Sequence, residues 1–151
     1  MLKYPQALRA IGQDLENHGA VAFEIKVNEN EYLVQCDCDL PPPGNLLFFC
    51  YTEKIIKQID FMGKLKRTSG GHAIGGVETL GTILRSLGAY VEKKRGRLLR
   101  VANYESPGIE PAFRVEFAKS NGSHFVDDIS KSSLDDIDVA LRSKRNDEFP
   151  R

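Results

Sequence analysis

Apolar residues recur along this chain at two different periods, and the switches between them divide it into elements. Leu8, Ile11 and Leu15 follow at helical spacing after Pro5, which suits a first helical turn. Gly19 suits the end, so a helix is predicted over about 6–18. Val21, Phe23, Ile25 and Val27 then alternate strictly, as on a strand with one buried face. A polar turn at 28–30 leads to a second alternating run, Tyr32, Val34, Cys36 and Cys38, which completes a hairpin. The prolines of 41–43 cannot donate to a ladder, so the chain loops there. Leu46 to Tyr51 is apolar on both faces, the pattern of a central strand covered on both sides. Thr52 then caps a helix whose predicted buried face is Ile55, Ile59 and Met62, with Ile56 beside them.

Beyond the glycine-rich loop, Val77, Leu80, Ile83, Leu84, Leu87 and Val91 form the clearest helical stripe. Gly88 offers a place for that helix to stop, and Lys94 a later one. Strands are predicted at 97–104, 112–118 and 124–129, with the loop ESPGIEP between the first two. Ser133 and Asp136 make a capping-box pattern for a last helix that buries Leu134, Ile137 and Leu141. Arg142, Lys144 and Arg145 fall in its final turn.

These elements predict an α+β fold, antiparallel sheet with helices packed on one face, in a single domain over 1–145 with a frayed tail at 146–151. Each half reads helix, strand, strand, strand, helix. That order admits tandem halves, 1–67 and 76–145, joined by a glycine-rich linker at 68–76. An alignment of 11–20 with 80–89 matches Gly12 to Gly81, Leu15 to Leu84, and Gly19-Ala20 to Gly88-Ala89. The order of elements is similar to that of several small chaperone-like and interaction modules, at the level of fold alone.

Composition narrows the classes. With 151 residues, 41% of them apolar, the chain can bury a core. It has no apolar run long enough to cross a bilayer and no export signal, which predicts a cytoplasmic protein without a membrane partner. Three cysteines, Cys36, Cys38 and Cys50, are expected as free thiols in a reducing compartment. The net charge of zero hides a segregation: residues 1–60 carry −4, 61–100 carry +7 and 101–151 carry −3. So basic a middle is either a surface for an anionic partner or a patch that pairs with the acidic ends.

Motifs for catalysis are absent. SGGHAIGG precedes a helix, where backbone N–H groups could meet a phosphate, but Val77 stands where a phosphate-binding loop needs Lys. Cys36-Asp37-Cys38 supplies only one close pair of ligands, with Cys50, His18, His72 and His124 elsewhere. Both thiols share the predicted core face of their strand, so no metal site is assigned. Glu24-Ile25-Lys26 has the acidic-x-Lys form of a metal-dependent nuclease site. However, so charged a composition generates this triplet by chance, it recurs at Glu92-Lys93-Lys94, and Asp14 falls on a helix where that site needs a strand. Neither a cofactor nor a catalytic residue is predicted, and the reading leans away from an enzyme.

The leading functional expectation is therefore a non-enzymatic module that binds nucleic acid or another polyanion through Lys64, Lys66, Arg67, Arg85, Lys93, Lys94, Arg95 and Arg97. Helix, glycine-rich turn, helix and basic hairpin resemble a winged helix in outline, with 77–88 as recognition helix and 97–118 as wing. The loop is longer than that motif's tight turn, and the helix offers few base-reading side chains. A turn centred near Gly108 would instead set Arg100 opposite Glu116 as an ion pair within the hairpin. The alternative is a protein-interaction or small chaperone-like module that binds a partner chain or a second copy of itself. That reading expects an exposed apolar patch.

Overall fold

A computed structural model describes residues 2–38, 41, 45–68, 80–104 and 112–134, with the side chains of 64–68 and of Tyr104 outside the description. The glycine-rich loop, the ESPGIEP connection, the capping-box helix beyond Leu134 and the tail therefore lie outside the described residues. Helix α1 (Tyr4–Asn17) leads into strands β1 (Ala20–Asn28), β2 (Glu31–Cys38) and β3 (Leu46–Tyr51). Helices α2 (Glu53–Thr68) and α3 (Leu80–Lys93) come next, then strands β4 (Arg97–Tyr104), β5 (Ala112–Ala118) and β6 (His124–Ser130). The α+β expectation holds: the six strands form one antiparallel sheet in the order β3-β2-β1-β4-β5-β6.

Local chemistry sets the ends of these elements. Pro5 starts α1, and Gly19 at φ +71° releases the chain into β1. Asn28 pairs with Glu31 across a two-residue turn in which Glu29 takes φ +55°. Thr52 caps α2 as predicted, its Oγ1 accepting from the Ile55 N–H at 3.4 Å. Helix α3 runs through Gly88 and closes with Gly96 N–H donating to Val91 C=O and Arg95 N–H to Glu92 C=O, a Schellman motif. Arg95, at φ +56°, occupies the left-handed position where glycine is usual. Residues 131–134 are already helical, and the Ser133 N–H donates to Ser130 Oγ at 3.3 Å. The cap is Ser130, three residues ahead of the predicted Ser133.

Two other expectations are corrected by the sheet order. Strand β3 is an edge strand, not a central one, with Leu46, Phe48 and Cys50 exposed. The 97–118 hairpin is no projecting wing, because β4 pairs with β1 on one side and β5 on the other. Helix α3, which covers most of the expected recognition helix, buries Ile83, Leu84, Leu87 and Val91 in the core. On α2 the buried face is Ile56, half-buried Ile59 and Asp60, whereas Ile55 and Met62 are exposed, so the predicted face is turned by most of a right angle.

The helices form one layer, α2 against α1 and α1 against α3, on one face of the sheet. Their approach rests on glycine. A Cβ on Gly12 would stand 2.8 Å from Gly81 Cα and from Leu80 O, and one on Gly88 would stand 2.6 Å from Pro5 N. Helices α1 and α3 thus cross antiparallel with their backbones in contact. They also cap each other: Leu80 N–H donates to Glu16 Oε2 (3.1 Å), and Tyr4 N–H donates to Glu92 Oε1 (3.2 Å). Each carboxylate meets the positive end of the other helix's dipole. Beneath them Leu8, Ile11, Leu15, Leu84, Leu87 and Val91 pack on Ile25 and Val101, which face each other in the middle strand pair.

A methyl group at position 12 would add about 1 kcal/mol of helix propensity but would set about 1–3 kcal/mol of overpacking between two backbones against it. Because the atoms met at 2.8 Å are backbone, the cost falls in the upper part of that range, and we expect Gly12→Ala to lower the unfolding free energy by about 1–2 kcal/mol in chemical denaturation. A variant as stable as the wild type would show that the crossing is not tight.

Candidate interaction surface

Among the described residues, α1, α2 and α3 lie on one side of the sheet and none of these helices covers the other. Its middle is a ladder of charge. Arg100 Nη2 donates to Glu24 Oε2 at 3.1 Å and its Nη1 to Glu116 Oε1 at 3.5 Å, with Lys26 Nζ 3.4 Å from Glu24. The Arg100–Glu116 pair is the one the hairpin spacing predicts, and β4 and β5 pair these residues directly. Farther out, Arg114 binds Asp128 through two nitrogens, at 2.9 and 3.2 Å. The Arg100 hydrogen bond holds Glu24 below the usual carboxylate range, and the Arg114 hydrogen bond does the same to Asp128. Glu24 and Lys26 are thus members of an ion-pair ladder across the sheet.

Toward β3 the same face turns apolar. Successive strands carry Leu33 opposite Cys50, Gln35 opposite Phe48, and Asp37 opposite Leu46. Phe48 is 68% exposed and Leu33 and Leu46 are each 41% exposed. A shallow groove of about 420 Å³ runs between Phe48 and Cys50 on one side and Glu24 and Lys26 on the other. The opposite, inward-facing residues of β3 are held firmly. Tyr51 donates to Asp14 Oδ2 at 2.6 Å, and Phe49 packs its ring on His18 at 4.9 Å. In the helix layer, α2 lies over this end of the sheet and exposes Phe61 (61%) and Met62 (54%).

The other edge is built differently. Strand β6 places His124, Val126 and Asp128 on the outer face, and Asp127 on the inner face accepts from Tyr90 Oη at 2.6 Å. Burial pushes the Tyr90 phenol up to about 12. Each edge strand is therefore tied to a helix by a tyrosine–aspartate hydrogen bond, but only β6 carries charge along its length.

Of the eight cations expected to bind a polyanion, five have described side chains, and four of those share one turn. Lys93, Lys94, Arg95 and Arg97 are exposed together at the α3–β4 turn, with Lys94 Nζ 5.6 Å from the Tyr90 ring centroid. Arg97 also lines a cleft of about 380 Å³ that it shares with Glu29 and Glu53. Arg85 lies more than two helical turns back along α3 and is half-buried, its Nε enclosed. Lys64, Lys66 and Arg67 are on α2, and their side chains lie outside the described residues.

Cys36 and Cys38 are buried, as the alternation predicts, and burial pushes the Cys36 thiol up to about 11. Among the described residues no three His, Cys, Asp or Glu side chains are grouped to hold a metal ion, and no helix is long and apolar enough to cross a membrane. The exposed apolar end of the sheet was hidden from sequence reasoning, because LLFFCY reads alike for a central and an edge strand. Comparison with protein-family models, with curated proteins and with solved structures finds no match for the chain.

The charge ladder has a pH signature. Glu24 and Asp128 titrate below their ordinary values of 4.5 and 3.8 in the folded protein, so their contribution is complete at neutral pH and is lost as pH falls through the folded values. Arg100→Met should lower stability at pH 7 by about 0.5–1 kcal/mol, the range for partly exposed pairs. It should also flatten the acid limb of the stability curve below pH 4.5. Denaturant titrations across pH would show this, and an unchanged acid limb would remove Glu24 from the ladder.

Proposed function

We propose that this protein is a non-enzymatic protein-interaction module that engages other chains through the apolar end of its sheet, at β2 and β3, together with the outer side of α2. The observation that carries the reading is Phe48, 68% exposed on an edge strand and flanked by exposed Leu33 and Leu46. Isolated exposed apolar residues are ordinary, but a cluster at an open strand edge marks a surface that another chain can cover. An edge strand adds unpaired backbone N–H and C=O groups, which give an extended partner its hydrogen bonds while Phe48 gives it a contact.

A second reading, binding of nucleic acid or another polyanion, is favoured by one feature. Lys93, Lys94, Arg95 and Arg97 project from one turn whose backbone is fixed by the Schellman hydrogen bonds. Four cations would give salt-sensitive contacts to phosphate without base readout. This is half of the set expected from sequence.

We also read the chain as two related halves. In support, the middle strands pair Ile25 with Val101, and each helix N-terminus is capped by the other's glutamate, Glu16 or Glu92. These partners lie 76 residues apart, and so do Leu8-Arg9 and Leu84-Arg85, and Gly12 and Gly88. The alignment that equates Gly19 with Gly88 joins a helix end to a helix interior and is set aside.

The test is binding of labelled extended peptides with alternating apolar side chains, followed by fluorescence anisotropy. Burial of Phe48 is worth about 1.5–3 kcal/mol. Phe48→Asp should therefore weaken binding about tenfold or more, while charge reversal at Lys93, Lys94 and Arg95 leaves it unchanged. Peptide binding that survives Phe48→Asp but is lost on charge reversal would favour the second reading.

A further inference from the structure

Two strands close this sheet, and they differ in what they present to a neighbour. Exposed edges are ordinarily guarded by charge, proline or a bulge. Strand β6 is guarded: a second strand laid along it would meet His124, Asp127 and Asp128. Strand β3, LLFFCY, has no charge and no proline in its six residues, and its pairing with β2 is in regular register from Tyr51 to Leu46.

A partner for β3 must satisfy two layers. In the sheet it must cover Phe48 and Leu46, and in the helix layer it must cover α2, where Phe61 and Met62 are exposed above the same end. An extended peptide continues only the sheet. A molecule whose own edge carries both a strand and a helix continues both layers. The chain itself has such an edge. Antiparallel pairing about a two-fold axis sets LLFFCY against LLFFCY, with no like charges opposed, and brings the two α2 helices toward each other. The same operation at β6 would oppose aspartates. Pairing β3 with β6 of another copy would set Asp127 and Asp128 beside leucine and phenylalanine, and it would propagate without closing.

Resting on the interaction reading, we infer that the occupant of this edge is a second copy of the chain, paired β3 to β3 in a closed dimer with a continuous sheet of twice six strands. The dimer uses Phe48 and Leu46 on the sheet side and Met62 and Phe61 on the helix side.

The experiment is sedimentation velocity of the full chain over a dilution series, with circular dichroism to confirm that each variant is folded. The wild type should sediment as a dimer that dissociates on dilution. Phe48→Glu should raise the dissociation constant about tenfold or more, and Met62→Glu should raise it as well. Val126→Glu, on the guarded edge, should leave it unchanged. A mixture of Phe48→Glu with Phe48→Lys should recover the dimer that each lacks alone, which a variant that had merely misfolded could not do. A monomer at every concentration would overturn the inference, and so would a dimer lost in Val126→Glu but kept in Phe48→Glu. If the monomer still binds extended peptides at Phe48, the interaction reading stands and only the second copy is wrong. If it binds none, both fall.

Discussion

The architecture depends on the crossing of α1 and α3. Two helices can touch backbone to backbone only where side chains are missing, and here Gly12, Gly81 and Gly88 leave the space. Close contact brings Glu16 to the start of α3 and Glu92 to the start of α1, so each helix dipole is neutralised by its neighbour. It also holds Leu8, Leu15, Leu84 and Leu87 low over β1 and β4, where Ile25 and Val101 complete the centre of the core.

Everything outside that crossing follows from having a single helix layer. On the face that α1, α2 and α3 leave open, a ladder of ion pairs from Lys26 through Glu24 and Arg100 to Glu116 makes the middle polar. The ladder stops before β3, where Phe48, Leu33 and Leu46 take over. Tyrosines hold the edge strands to the helices, buried Tyr51 through Asp14 and half-buried Tyr90 through Asp127, so the difference between the edges lies in their outward side chains and not in their anchorage. Charge lies along one edge and is missing from the other, and the proposed direction of association rests on that asymmetry.

Much of this was legible in the sequence where local rules decide. Alternation located β1 and β2 and put Cys36 and Cys38 inside, and Thr52 announced α2. The spacing about Gly108 set Arg100 against Glu116. The misreadings share a cause, which is that tertiary position overrides local pattern. LLFFCY reads as central, but apolar residues on both faces equally describe an edge strand with one exposed face. Helix α2 turned toward Ile56 and Asp60 because Asp60 is drawn to Arg9, 2.6 Å away, and to Gln6. Gly88 was read as a possible stop, yet it serves a helix contact. Ser130 precedes Ser133 as cap because the hydroxyl three residues earlier was already in reach. Charge counted along a chain does not say which cations share a turn, and only the structure shows that Lys93, Lys94, Arg95 and Arg97 do while Arg85 stands apart.

The most direct measurement is amide hydrogen exchange at β3 and β6 as a function of protein concentration. The outward N–H groups of β3 should gain protection as concentration rises, while those of β6 exchange at a constant rate. Equal and concentration-independent exchange at both edges would contradict the account, since it would mean that the uncharged strand is no more inclined to pair than the guarded one.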